Sequence, residues 1–209
     1  MKPLAITAGT VLSAIGHGLE ATEQALLAHR SGLTPCDFAG IRTGFIGRVP
    51  DVEKHGLEGV PAGFTCRNNQ LADMACMDDG FVQAVQAARA FYGAGRIAVV
   101  LGTSTSGILS AEEAYRAVDP ISGYPPEGFD QARTQDLFSL PRFLAARLGL
   151  EGPLLSVSNA CASSSRAFVD ARHWLEAVLC VAVFFGGADS LCQMTLRGFA
   201  SLGLVSSEP

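Results

Sequence analysis

Leu154-Leu155-Ser156-Val157-Ser158-Asn159-Ala160-Cys161-Ala162-Ser163-Ser164-Ser165-Arg166-Ala167-Phe168 is the stretch that decides the fold. Its apolar opening reads as a strand, its small residues as a turn, and the rest as a helix that starts at once. Cys161 is therefore expected at a strand-to-helix turn, on the first turn of the helix. Main-chain N–H groups there lack partners, and the helix dipole favours an anion. A thiol so placed is biased toward the thiolate, the form that attacks carbonyl carbon. The same N–H groups can hold the oxyanion formed when a thioester is attacked. Ala160 and Ala162 leave room for an acyl group. Cysteine is also an ordinary buried core residue, and placement alone leaves both readings open.

Working outward, the chain alternates strands and helices. Pro3–Thr7 reads as a first short strand. Residues 16–28 follow as a helix with Leu19, Thr22, Ala25 and Leu26 on one side. Residues 31–65 are rich in Gly, Pro and charge and read as a long surface excursion. Residues 68–92 read as one strong helix with Leu71, Ala75, Met77, Phe81, Val85 and Ala88 facing the core. A second strand is expected at 96–101, helices at 109–118 and 136–148, a Pro/Gly loop at 119–130, and a third strand at 154–158. The apolar run at 178–185 reads as a central strand buried on both faces. It is far short of the roughly 20 residues of a membrane helix. This order implies an α/β fold with a largely parallel sheet. Ligand sites in such sheets lie beyond the carboxyl ends of the strands. Gly102-Thr103-Ser104, Asn159-Ala160-Cys161 and Gly186-Gly187-Ala188 should converge there.

Composition narrows the classes. With 209 residues, 48% of them apolar, the chain has enough for one domain with a sizeable core. Its 20 acidic against 15 basic residues, net charge -5, argue against nucleic acid or an anionic membrane as main partner. The cysteines Cys36, Cys66, Cys76, Cys161, Cys180 and Cys192 show no C-x-x-C pair, so zinc and dithiol redox motifs are not indicated. His17, His29, His55 and His173 lack metal-like spacing. Met1-Lys2-Pro3-Leu4 lacks a secretory core, and free thiols suit a reducing cytoplasm. Gly102 to Gly107 is not a phosphate loop, because Ile108 and Leu109 follow where Lys and Ser/Thr would be required.

Three segments together resemble a known family. Gly102-Thr103-Ser104-Thr105-Ser106-Gly107, then Ser156 through Ser163, then Gly186-Gly187-Ala188-Asp189 resemble the N-terminal half of β-ketoacyl-acyl-carrier-protein synthases, condensing enzymes of the thiolase fold. The opening strand and turn through Gly16, and the ending Gly198–Ser206, resemble it as well, so the likeness covers residues 1–209. It implies a layered α-β-α arrangement with a mostly parallel central sheet. It implies that Cys161 takes an acyl group from an acyl carrier protein and that a malonyl-carrier then loses CO2 and attacks the acyl carbon. Phe199 resembles a phenylalanine gating the acyl pocket, and Thr105 a pocket-lining position near a dimer interface. Ala160 and Ala162 flank the bound acyl group. No cofactor or metal is implied, and a homodimer or heterodimer is, with Leu154–Ser158 pairing across a two-fold axis.

The family's two catalytic histidines belong to its C-terminal half, in H-G-T-x-T and G-H-x-x-G type motifs that these 209 residues do not contain. The chain is thus expected to be half of a condensing enzyme, inactive in condensation by itself. A non-catalytic module that binds a carrier protein or partner subunit is the alternative, and a different cysteine acyltransferase of the same fold a third. The chain also departs from the family at Val178 and Val181, where Gly and Asp are usual. A β-branched residue fits a left-handed helix cap badly. Ser164 and Ala8-Gly9-Thr10 replace further glycine positions.

Overall fold

The computed structural model describes residues 3–38, 41 and 44–208. Met1 and Lys2, part of the stretch read for a secretory signal, lie outside them, as do residues 39, 40, 42 and 43 of the long excursion and Pro209. In chain order, β1 (Leu12–Ser13) pairs antiparallel with β2 (Gly16–His17) and leads into α1 (Gly18–Leu27). A second antiparallel pair, β3 (Leu33–Pro35) and β4 (Phe45–Gly47), structures part of the excursion. Two helices, α2 (Arg67–Met77) and α3 (Phe81–Tyr92), precede β5 (Ile97–Gly102). Then come α4 (Ile108–Arg116), α5 (Ser139–Leu148), β6 (Leu154–Val157), α6 (Ser163–Glu176), β7 (Ala182–Gly187) and α7 (Gln193–Ser201).

The sheet that organises the molecule has the order β6-β5-β7, parallel throughout. Strand β5 is its centre, and all six of its residues are buried. Alternate side chains of a strand point to opposite faces, and β5 uses both. Ile97, Val99 and Leu101 join Phe143, Leu144 and Leu148 of α5, and Phe81 and Val85 of α3, in the larger core. Val100 packs on the other face against Ala167 and Ala171 of α6, with Trp174 and Phe185 around them. Helices on both faces of a parallel sheet make the α-β-α layering that the alternation of elements implied.

Four expectations are corrected. Pro3–Thr7 forms no strand; the first regular pairing begins at Leu12. The helix read over residues 68–92 is two helices, because Asp79 and Gly80 take left-handed backbone angles (φ 57° and 67°). A long-range contact holds Asp79 in that conformation. Its carboxylate accepts the Leu19 N–H at 3.0 Å, closing the N-terminus of α1. The Val178–Phe185 run is not a doubly buried central strand. It enters the sheet only at Ala182, forms an edge, and leaves Val178 and Leu179 exposed. On α1 only Ala25 of the expected apolar face is fully buried, with Leu19 and Leu26 exposed.

Helix α2 inverts the usual amphipathic rule by burying Asn68, Asn69 and Asp73. Long-range partners account for Asp73. Its carboxylate meets His55 Nε2 at 2.8 Å and accepts from Arg147 Nε at 2.9 Å. Two cationic or donor partners compensate the loss of water around the buried carboxylate. Beside it the Cys76 thiol is pushed up to about 12, first by burial and second by the Asp73 charge.

Candidate active site

The parallel sheet places the ends of β5, β6 and β7 on one side, and the three turns predicted to converge do so. The Thr103 N–H donates to the Val157 carbonyl at 3.0 Å, and the Ala188 N–H to the Gly102 carbonyl at 3.1 Å. These bonds continue the strand ladder into the turns. Two glycines let α6 sit directly on those ends. A Cβ at Gly102 would lie 2.4 Å from the Ser163 carbonyl carbon, and one at Gly187 2.2 Å from Ser164 Oγ. The glycines are needed for close approach of a helix start to a sheet end, not for turn flexibility.

Cys161 lies in the tight turn between β6 and α6. Helix α6 begins at Ser163 with Ala162 as its N-cap, so the cysteine precedes the helix rather than occupying its first turn. Ala160 takes a left-handed backbone (φ 45°), a conformation costly for a residue with a Cβ. The turn is braced by Ser163, whose buried hydroxyl accepts the Asn159 N–H at 2.8 Å and donates to the Ala160 carbonyl at 2.7 Å. Arg166 is the first N–H to close an α-helical bond, onto the Ala162 carbonyl at 2.9 Å. The first two N–H groups after the sulfur are taken within the turn, Ala162 onto the Asn159 carbonyl at 2.9 Å and Ser163 onto the Ala160 carbonyl at 3.2 Å, so the free N–H groups of the α6 N-terminus begin beyond Ser163.

Exposure separates this thiol from the others. All six cysteines are free. Cys66, Cys76, Cys180 and Cys192 are buried, Cys36 is half-buried, and Cys161 alone is exposed. Burial pushes the thiols of Cys66, Cys76 and Cys180 up, which keeps them protonated and inert. Ser158, Asn159, Ala160 and Ala162 are exposed with Cys161, so the turn faces outward.

The remaining predicted residues are dispersed around this turn. Thr105 is buried, and its hydroxyl donates to Asp189 Oδ1 at 3.0 Å and accepts from the Ser190 N–H at 3.0 Å. Phe199 lies on α7 and is partly exposed. Asp189 closes the Gly186–Asp189 segment, and its role could not be read from the sequence. Its Oδ1 accepts from Thr103 Oγ1, the Ser104 N–H and hydroxyl, and the Thr105 N–H and hydroxyl, at 2.7–3.3 Å. That single oxygen ties the turn after β5 to the loop after β7. The run of hydroxyl residues at 103–105 facing an acid 84 or more positions later gave no local signal.

With this geometry in view, comparison with known proteins is decisive on one point. The family described as "Beta-ketoacyl synthase, N-terminal domain" matches residues 1–209. The chain belongs to that family. As a β-ketoacyl synthase N-terminal domain it superposes on solved relatives. One is a chain of the complex between a ketosynthase (ApeO) and its chain length factor (ApeC) from Xenorhabdus doucetiae. There the TM-score is 0.76 and the identity 30%, covering 94% of this chain and 49% of that one. A β-ketoacyl synthase from Burkholderia phymatum STM815 gives a TM-score of 0.74 at 20% identity, covering 100% of this chain and 52% of the other. The ishigamide ketosynthase/chain length factor gives 0.72 at 23% identity, with coverage of 97% and 51%. The last two likenesses establish the fold, and the thiolase-like α/β arrangement is common to all. The chain spans about half the length of these structures. No curated protein matches it.

Among the described residues, no helix is long and apolar enough to cross a membrane. Nor does any group of three or more His, Cys, Asp or Glu side chains stand close enough to hold a metal ion.

Proposed function

We propose that Cys161 is the acyl-accepting nucleophile of a β-ketoacyl-acyl-carrier-protein synthase, and that this chain supplies the loading half of its reaction. One observation carries the reading: the only exposed cysteine lies in the outward-facing turn immediately before a helix N-terminus, at the carboxyl end of a parallel sheet. The Cys161 sulfur attacks the carbonyl of an acyl-carrier thioester. The bond from acyl carbon to carrier sulfur breaks, and the carrier thiol leaves with the proton. Main-chain N–H groups at the start of α6 stabilise the oxyanion. Ala160 and Ala162, which carry nothing beyond a methyl, leave the approach to sulfur open.

In condensation a malonyl-carrier loses CO2, its carbanion bonds to the acyl carbon, and the Cys161 thiolate is released. The product is a 3-oxoacyl-carrier two carbons longer. The enolate of that step needs positive or hydrogen-donating groups beyond those around Cys161, and the family's two histidine motifs are not among these 209 residues. Loading therefore belongs to this chain, and condensation to an assembly that adds those groups. Phe199 as acyl-pocket gate and Thr105 as a position near a subunit interface are part of the same proposal. So are cytoplasmic location and a pathway of the fatty acid or polyketide type.

Pairing through β6 is the proposed mode of dimerisation. In the three-stranded sheet β6 has a partner on one side only, and an unpaired strand edge readily takes up a second strand. The resemblance at 30% identity to a ketosynthase–chain length factor complex supports a heterodimer; a homodimer through the same edge is the other arm of the proposal.

The test is loading. The chain is incubated with an acyl-carrier thioester and analysed by intact-mass and peptide spectrometry. An acyl adduct on Cys161, absent from Cys161→Ala, is expected. A carrier that binds without transferring its acyl group would overturn the nucleophile and leave the binding-module reading in its place.

A further inference from the structure

We infer that the cavity between the N-terminal turn, the end of α1 and the β3–β4 pair binds a single-chain aliphatic carboxylate, at a site separate from Cys161. The cavity has a volume of about 560 Å³, inside the roughly 300–1,000 Å³ range of small-molecule sites. No residue of β6 or α6 lines it. Its nearest approach to the sheet is Asp189–Leu191 after β7, and β7 is two strands from β6, on the order of 10 Å.

Its chemistry is amphipathic. The wall is aliphatic, with Leu12, Leu26, Leu33 and Val52 among its residues. Leu26 is 62% exposed although it sits on a helix beside the core. Burying such side chains against an alkyl chain is favourable. The charged residues of the lining are Arg30, Arg48, Arg67 and Asp189. Asp189 is counterbalanced by the hydroxyl and N–H donors on its Oδ1. Arg67 pairs with Glu53, and Arg48 with Asp37. Both guanidinium groups also stack on the Phe38 ring, at 5.7 and 5.1 Å from its centroid. Those contacts fix two cations in place. Arg30 has no acidic partner among the described residues and is exposed. An apolar cavity bearing one uncommitted guanidinium group fits a ligand with an alkyl body and one anionic head.

The experiment is calorimetric titration of the chain with laurate below its micelle concentration, beside dodecanol, which has the same alkyl length and no charge. Saturable laurate binding at one site is expected, with dodecanol about tenfold weaker. Arg30→Gln should weaken laurate to the dodecanol level, since one charge-assisted contact of this kind is worth about a factor of ten. Leu26→Gln, at an exposed position the fold tolerates, should weaken both ligands. Cys161→Ala should change neither, which separates this site from the acyl-loading proposal. Absence of saturable binding overturns the inference. So does binding lost in Cys161→Ala, or binding indifferent to both Arg30→Gln and Leu26→Gln.

Discussion

Val178→Gly should stabilise this protein, although valine to glycine in a helix-to-strand connection normally does the reverse. Helix α6 ends in a Schellman arrangement: the Val178 N–H donates to the Leu175 carbonyl at 3.1 Å, and the Leu179 N–H to the Trp174 carbonyl at 3.0 Å. That motif requires a left-handed residue after the C-cap Ala177, and Val178 supplies it at φ 58°. The expected conflict between a β-branched residue and this cap is therefore real, and the fold absorbs it rather than changing the cap. A left-handed L-residue costs about 1–2 kcal/mol, and β-branching places valine at the upper end. Val178 is 77% exposed, so little packing is lost on removing its side chain. Glycine returns about 0.5–1 kcal/mol to the unfolded chain as entropy. The difference is a net gain of about 1 kcal/mol, or about 2–4 °C in Tm for a chain of this size. Val178→Ala relieves only the β-branching and should gain less. Thermal and urea denaturation of the three proteins measure this. A Val178→Gly protein no more stable than Val178→Ala would refute the argument, because the gain must come from the backbone conformation.

Iodoacetamide at neutral pH should alkylate Cys161 first in the folded chain, with Cys66, Cys76, Cys180 and Cys192 reacting only after denaturation; peptide mass spectrometry reads the order. Gly102→Ala should cost about 1–3 kcal/mol and slow Cys161 alkylation or acyl loading, because the new Cβ displaces the start of α6. Asp73→Ala should cost about 3 kcal/mol in urea denaturation by leaving Arg147 and His55 without their buried acceptor. Burial raises the Cys66, Cys76 and Cys180 thiols in the folded state above their ordinary value of 9.0. The unfolded chain therefore loses those protons first. Stability is fully present below pH 9 and falls as pH rises toward 12, and Cys76→Ala should flatten that decline.

Local signals in the sequence were enough for several parts of this protein. An apolar stretch, small residues and a helical pattern around Cys161 place a thiol between strand and helix, because strand and helix periods differ within a few residues. The apolar run read at 96–101 and the alternation of strands with helices imply a parallel sheet, because parallel strands are joined by crossovers of a dozen or more residues, usually a helix. Tertiary structure decided what depends on distant partners. Whether an apolar run is central or at an edge is set by its neighbours, so β5 rather than the run ending in β7 became the buried strand. Asp79 ends a periodic helix because it caps α1, about sixty residues earlier in the chain. Asp73 is buried on a polar stretch of α2 because His55 and Arg147 arrive from elsewhere. Hydrogen-bonding and ion-pairing energy between residues far apart in the chain leaves no periodic trace, and only the folded arrangement reveals where it acts.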